Sequence, residues 1–181
     1  VFLLSCCNHE TTKWNTVSFI NLDSAKIETQ RGITYINNSP FSGKLFSLFA
    51  NKDTQLVRTY KDGREHGEWK EFYPGNALKE SRYFDNGKKE GSYTAFWGNG
   101  AQKLEYNFYK GEYEGACKEW LADGTPIKEM NYKNGYEDGV QKAWYDNGKI
   151  KSNYVIKNGR RYGLLGTKNC KNVSDRIFNN K

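Results

Sequence analysis

The chain has 181 residues, enough for one domain with a sizeable core and short for two. Aromatic residues make up 15% while hydrophobic residues stop at 36%, and mean hydropathy is strongly negative, so the apolar surface is concentrated in large amphipathic rings. The net charge of +7 comes from lysines scattered among acids rather than from a dense block, which argues for a solvated surface and against a dedicated nucleic-acid or anionic-lipid patch. Eighteen glycines against three prolines, many in Asn-Gly or Asp-Gly steps, favour hairpins over helices.

The first residues, "VFLLSCCNHE", are apolar up to a cysteine. Leu3-Leu4-Ser5-Cys6 resembles the lipobox of bacterial lipoproteins, with a leucine three places before the cysteine and a small residue immediately before it. Cys6 fits this pattern better than Cys7, whose preceding residue is itself a cysteine. The resemblance implies that residues 1–5 are the remnant of an export signal, that Cys6 is lipidated, and that acyl chains hold the protein at a bacterial cell envelope, on the periplasmic or outer-surface side. Residues 6–32, polar and without clear periodicity, are expected to form a tether. No other apolar run approaches the roughly 18 residues of a membrane-spanning helix.

From residue 33 the chain repeats itself. One glycine column falls at Gly43, Gly67, Gly91, Gly115, Gly139 and Gly163, each 24 residues after the last, and another falls at Gly63, Gly87, Gly111, Gly135 and Gly159 with the same spacing. A third holds Gly100, Gly124 and Gly148, with Asn76 one period earlier. Between the glycines lie aromatic-rich stretches of strand length, so one period reads as a β-hairpin. Asp62-Gly63, Asn86-Gly87, Asn134-Gly135 and Asn158-Gly159 are type I′ turn signals. The glycines at 67, 91, 115 and 139 precede a strand, where they permit either a bulge or a close backbone approach.

Apolar columns accompany the turns. Phe72, Phe96, Trp120 and Trp144 share one phase, Tyr73, Trp97, Leu121 and Tyr145 the next, and Tyr60, Phe84, Phe108, Tyr132 and Ile156 precede each turn. The expected fold is all-β, an elongated antiparallel meander of 24-residue hairpins in which each unit packs on its neighbours. At about 10 Å per two-stranded repeat, five repeats would reach on the order of 50 Å.

The pattern G-x-x-x-G-x-[WY]-x-x-[FW]-[YW]-x-x-G, followed by a strand ending in aromatic-x-[DN]-G, resembles the variant MORN repeat of bacterial proteins often grouped as YwqK-like. The resemblance covers residues 33–163, including the opening "GITYINNSPFSGKLF". It implies the hairpin-repeat fold and carries an antitoxin label that nothing in these residues supports. After Gly163 the period fails, with Lys168 where an aromatic is expected, so residues 164–181 are read as a C-terminal cap or tail.

The residues offer little chemistry. Cys6, Cys7, Cys117 and Cys170 form no C-x-x-C, so no zinc or thioredoxin-like motif arises. A Cys117 to Cys170 disulfide would require the tail to fold back across about two repeats. His66, Glu90, Glu114 and Asp138 form a column flanking the turns, which is either a solvated charged row or a cation site. No nucleophile elbow or phosphate loop occurs, and neither an enzyme, a cofactor nor a metal is expected. Tyr73, Trp97 and Tyr145 either form an exposed apolar stripe for a partner or are buried by sheet curvature. The expected function is a non-catalytic, membrane-anchored scaffold that binds another protein or an envelope component, with an antitoxin-like regulator as the alternative and no nucleic-acid partner. Functional differences are expected where the columns vary, or where the period breaks.

Overall fold

A computed structural model describes residues 18–166. The first strands are β1 (Phe19–Asn21), β2 (Ile27–Gln30), β3 (Ile33–Ile36), β4 (Ser39–Pro40), β5 (Gly43–Leu48), β6 (Thr54–Lys61) and β7 (Arg64–Phe72). They continue with β8 (Leu78–Asp85), β9 (Lys88–Lys89), β10 (Gly91–Phe96), β11 (Gln102–Tyr109), β12 (Glu112–Tyr113) and β13 (Gly115–Trp120). The last are β14 (Pro126–Lys133), β15 (Tyr136–Glu137), β16 (Gly139–Trp144), β17 (Ile150–Lys157) and β18 (Arg160–Leu164). From β5 to β18 the long strands follow one another across a single sheet in sequence order, each antiparallel to its neighbour. The elongated all-β meander of hairpins is therefore the fold.

The turns supply the repetition. Both central residues have positive φ in Asp62-Gly63 (50°, 75°), Asn86-Gly87 (48°, 82°) and Asn134-Gly135 (50°, 81°), the twist that a type I′ hairpin needs. At the opposite end, Trp97 N–H donates to Ala101 O and Gly100 N–H to Trp97 O, closing a three-residue loop that recurs at Leu121 and Tyr145. Strands β9, β12 and β15 pair with the same long strands as β10, β13 and β16 and are parted from them by one residue, so each pair is one strand interrupted by a bulge.

The two readings of the strand-entry glycines apply at different positions. Gly91, Gly115 and Gly139 have φ of 66°, 74° and 71°, with no atom within 4 Å of an added Cβ, so it is the bulge conformation that favours glycine there. At Gly43, φ is 151° and a Cβ would lie 2.5 Å from Ser18 O, so there the close approach decides.

That approach belongs to a segment that does not behave as the expected tether. β1 pairs in parallel with β5, Phe19 opposite Lys44, while β2, β3 and β4 form a separate three-stranded sheet. This small sheet docks at the first turn, where Thr34 N–H donates to Gly63 O and Gly63 N–H to Phe41 O, both at 2.8 Å. Residues 18–30 thus lie against the start of the array, because β1 completes the ladder of β5 and the small sheet covers the adjoining aromatic rings. Cys6, Cys7, His9, Lys168 and Cys170, and with them the lipidation, disulfide and capping expectations, lie outside the described residues.

Packing is concentrated on one face. Registered pairs Leu45–Arg58, Arg58–Trp69, Trp69–Arg82, Tyr93–Tyr106, Cys117–Met130 and Gln141–Tyr154 run across the strands as one row. Leu45, Cys117 and Gln141 are buried to 1%, 1% and 0% exposure and occupy the same position of the 24-residue period, in the first, fourth and fifth units of the column that also holds Trp69 and Tyr93. Beside them Phe41, Tyr60, Trp69 and Phe84 stack with centroids 6.1, 5.3 and 4.8 Å apart, within the range where ring pairs add to area burial.

Candidate functional site

A structural use accounts for most of the columns singled out in the sequence. In the acidic row, the Glu90 carboxylate accepts from Lys110 N–H at 2.7 Å and the Glu114 carboxylate from Asn134 N–H at 2.8 Å. His66 Nδ1 accepts from Asn86 N–H at 3.5 Å. Each side chain ties down the turn of the next repeat, and no group of three or more His, Cys, Asp or Glu among the described residues could hold a metal. Cys117 is buried and unpaired among the described residues, and burial raises its thiol above the ordinary value, which makes it an inert strand residue.

The proposed aromatic stripe is divided. Tyr73 OH donates to Phe96 O at 3.1 Å and Trp97 Nε1–H to Trp120 O at 3.0 Å, so these half-buried rings fasten one repeat to the next. Tyr145, 40% exposed, lies under the Lys151 ammonium at 5.8 Å.

The packed face holds polar groups that periodicity did not reveal. Arg58 stacks on Trp69 at 4.9 Å and pairs with Glu71 at 3.1 Å; Arg82 stacks on Tyr93 at 4.3 Å and pairs with Glu80 at 2.9 Å. Burial pushes the Tyr93 phenol up to about 12, helped by its hydrogen bond to Glu80. Further along, Tyr106 and Lys128 both donate to Glu119. Burial pushes that carboxyl up, but the two hydrogen bonds more than offset it and leave it below the ordinary value. Tyr154 and Arg161 hold Glu137 in the same manner, each at 3.0 Å.

One half-buried carboxylate of this face is treated differently. Glu65, on β7 opposite Tyr60, forms no hydrogen bond or ion pair through its side chain among the described residues. Desolvation raises its pKa, against the opposing pull of Arg58, Arg82 and Lys89. It lines a cleft of ≈ 550 Å³ between the small sheet and the main sheet, walled by Thr29 and Thr34 on one side and by Arg58, Tyr60 and Trp69 on the other. Arg64 and Lys88 line the cleft as well, both exposed. A second hollow of ≈ 230 Å³ shares Arg58 and Trp69 and extends to Glu80 and Arg82. The Nε atoms of Arg58 and Arg82 are buried without an acceptor among the described residues. These arginines appear only in the first two repeats, where later ones carry Tyr106, Met130 and Tyr154, so column variation was the available signal.

A second surface lies at the other end. Val140, Val155 and Tyr162 are registered across β16, β17 and β18 and are 41%, 39% and 55% exposed, with Leu164 and Leu165 nearby at 45% and 58%. The same positions in the preceding repeats hold Ala116, Asn131 and Asp138.

Fold and surfaces together define a hairpin-repeat protein, one long sheet with a small sheet at its start, with a polar cleft and an exposed apolar row at opposite ends of the described residues. A family model described as the MORN repeat variant matches residues 65–86, 113–134 and 137–158, and the intervening strands β10 and β11 form a hairpin of the same kind. MORN repeats point to a protein- or membrane-binding repeat module. No curated protein matches the chain. Among solved structures, similarity of shape extends to a crystal structure of TarM and one of a S. aureus TarM mutant in complex with fondaparinux, alpha-GlcNAc-glycerol and UDP. Each is 13% identical, with a TM-score of 0.33 over 61% of this chain and 21% of the other, and likeness at that level carries no argument. The chain spans about a fifth of their length.

Proposed function

We propose that the protein is a non-catalytic docking module: a MORN-type sheet, held at a bacterial envelope by a lipid on Cys6, that presents its C-terminal end to a protein or envelope component. The observation that carries this reading is the exposed Val140–Val155–Tyr162 row. Ala116, Asn131 and Asp138 hold these positions one repeat earlier, and only at 140, 155 and 162 are all three large and apolar; exposed apolar patches of this kind mark interaction sites. Among the described residues no helix is long and apolar enough to cross a membrane, so attachment would rest on the acyl chains.

A photo-crosslinking side chain at position 155 or 162 of the full-length protein, expressed in cells, tests the surface. The expected result is a discrete crosslinked partner that Val140→Lys removes. Metabolic acyl labelling that is lost in Cys6→Ser tests the anchor. A soluble, unlabelled cytoplasmic product would overturn the anchor and leave the antitoxin-like regulator as the reading to pursue.

A further inference from the structure

Charged groups lining a cleft normally satisfy one another, and along this sheet they do. Glu71, Glu80, Glu119 and Glu137 each accept from two side chains. Glu65 occupies the position of Glu137 three repeats earlier, yet its carboxylate accepts a hydrogen bond neither from Arg58, Arg82 and Lys89, which attract it, nor from Arg64 and Lys88, which line the same cavity. A half-buried carboxylate without a hydrogen-bond donor is destabilising. Opposite charges on residues that line one cavity without a hydrogen bond or ion pair between them leave space for something that bridges them.

The cavity is bounded by the small sheet, which only this end of the array carries among the described residues, and by an arginine stack that recurs only at Arg82. Its roof is the small sheet, held in place at Gly63, where a Cβ would strike Ile33 and come within 2.9 Å of Thr34 O. Its wall is the Arg58–Trp69 stack, a fixed cation rather than a mobile one, because the guanidinium is also paired with Glu71. A volume of ≈ 550 Å³ lies within the range of small-molecule sites, which are usually pre-formed.

We propose that this cleft binds a small bifunctional ligand, carrying an anionic group for Arg64 and Lys88 and an N–H or O–H donor for Glu65. Amino acids, hydroxy acids and phosphorylated polyols share that chemistry. Thr29 and Thr34 offer further hydroxyls at the roof. The site is independent of the apolar C-terminal row, and its failure would leave the docking reading untouched.

The test is titration of the full-length protein with serine, glucuronate and glycerol 3-phosphate, with acetate, inorganic phosphate and ethylamine as single-function controls. Binding is read from heat and from the indole N–H resonance of Trp69, which donates to Thr59 O at the cleft wall. At least one bifunctional probe should saturate at millimolar concentration and shift Trp69 while leaving Trp120 and Trp144 unmoved. Glu65→Gln and the double change Arg64→Ala with Lys88→Ala should each weaken it by about ten-fold or more, the scale of a lost charge-assisted hydrogen bond. Unmoved Trp120 and Trp144 resonances in each variant establish that the array remains folded. Saturation by none of the bifunctional probes, acetate or phosphate binding as tightly as they do, or undiminished binding to Glu65→Gln would each overturn the proposal.

Discussion

At the first four type I′ turns, Gly63, Gly87, Gly111 and Gly135 each donate a backbone hydrogen bond of 2.7–2.9 Å to a carbonyl of the unit before. The residue preceding each glycine donates a second bond to a side chain: Ser42, His66, Glu90 and Glu114 in turn. At the fifth turn, Asn158-Gly159, neither bond forms among the described residues. The N-terminal end is in addition covered by the small sheet, while every residue of β18 is exposed. One 24-residue sequence pattern therefore produces a stitched end and an open end. The difference teaches that in a repeat array stability is a property of interfaces between units, and among the described residues the last unit meets only one neighbour.

The largest expected effect concerns how the buried column is filled. Leu45 and Trp69 fill it with hydrocarbon and ring, but Gln141 fills it with hydrogen bonds, accepting from Asn131 N–H at 3.1 Å and donating to Asn131 O at 2.7 Å and Asp138 O at 3.1 Å. Gln141→Ala should cost about 3 kcal/mol in chemical denaturation, by leaving buried backbone groups unpaired beside a cavity. A loss below about 1 kcal/mol would mean that the open end tolerates the vacancy.

Turn glycines sharpen the contrast between the ends. Gly159→Ala meets nothing within 4 Å and should cost only the left-handed backbone penalty, about 1–2 kcal/mol. Gly63→Ala has the same penalty plus a collision with the small sheet, and overpacking adds about 1–3 kcal/mol. Equal melting temperatures for the two variants would show that the small sheet is not anchored at Gly63.

Glu114→Ala should cost about 1 kcal/mol by unstitching the fourth turn, whereas Asp138→Ala should cost little. Conversely, Asp138→Glu lengthens the side chain to match Glu90 and Glu114, and should slow amide exchange at Asn158 by supplying the missing bond. Exchange unchanged there would show that reach is not what leaves the fifth turn open.

The smallest effect is a difference in sign with pH. Glu119 has a folded pKa below its unfolded value, so its contribution to stability is present above the unfolded pKa and is lost as pH falls through the folded one. Glu65 has a raised folded pKa, so its contribution is fully present below the unfolded pKa and is lost as pH rises through the folded one. Glu65→Gln should therefore be neutral or slightly stabilising at neutral pH without ligand, and Glu119→Gln destabilising. Denaturation midpoints measured from acid to neutral pH, moving in the same direction for both variants, would contradict the assignment.

Much of the fold could be read from Asn86-Gly87 and its equivalents, because a type I′ turn with alternating apolar residues on either side leaves few other structures open. The acidic column was legible as a position but not as a role, since the acceptor in Glu114 and the donor in Asn134 are twenty residues apart. The choice between the two readings of Tyr73 and Trp97 was illegible for a similar reason: alternation specifies a face, but not the carbonyl of the next repeat that captures a ring's polar edge. The cleft was the least legible, because residues 18–40 carry no period.

By itself, the sequence determined the hairpin unit, its 24-residue length and the direction in which the sheet grows. These follow from local conformational preference, which positive-φ turns and period-two alternation impose within a few residues. Tertiary structure alone decided that β1 joins β5 in parallel, that the small sheet closes over Arg58 and Trp69, and that Glu65 lines a cleft with Arg64 and Lys88 without a side-chain hydrogen bond or ion pair among the described residues. Those outcomes depend on which long-range contacts cover an aromatic face and which charges are near enough to pair, and neither is encoded in any single period of the chain.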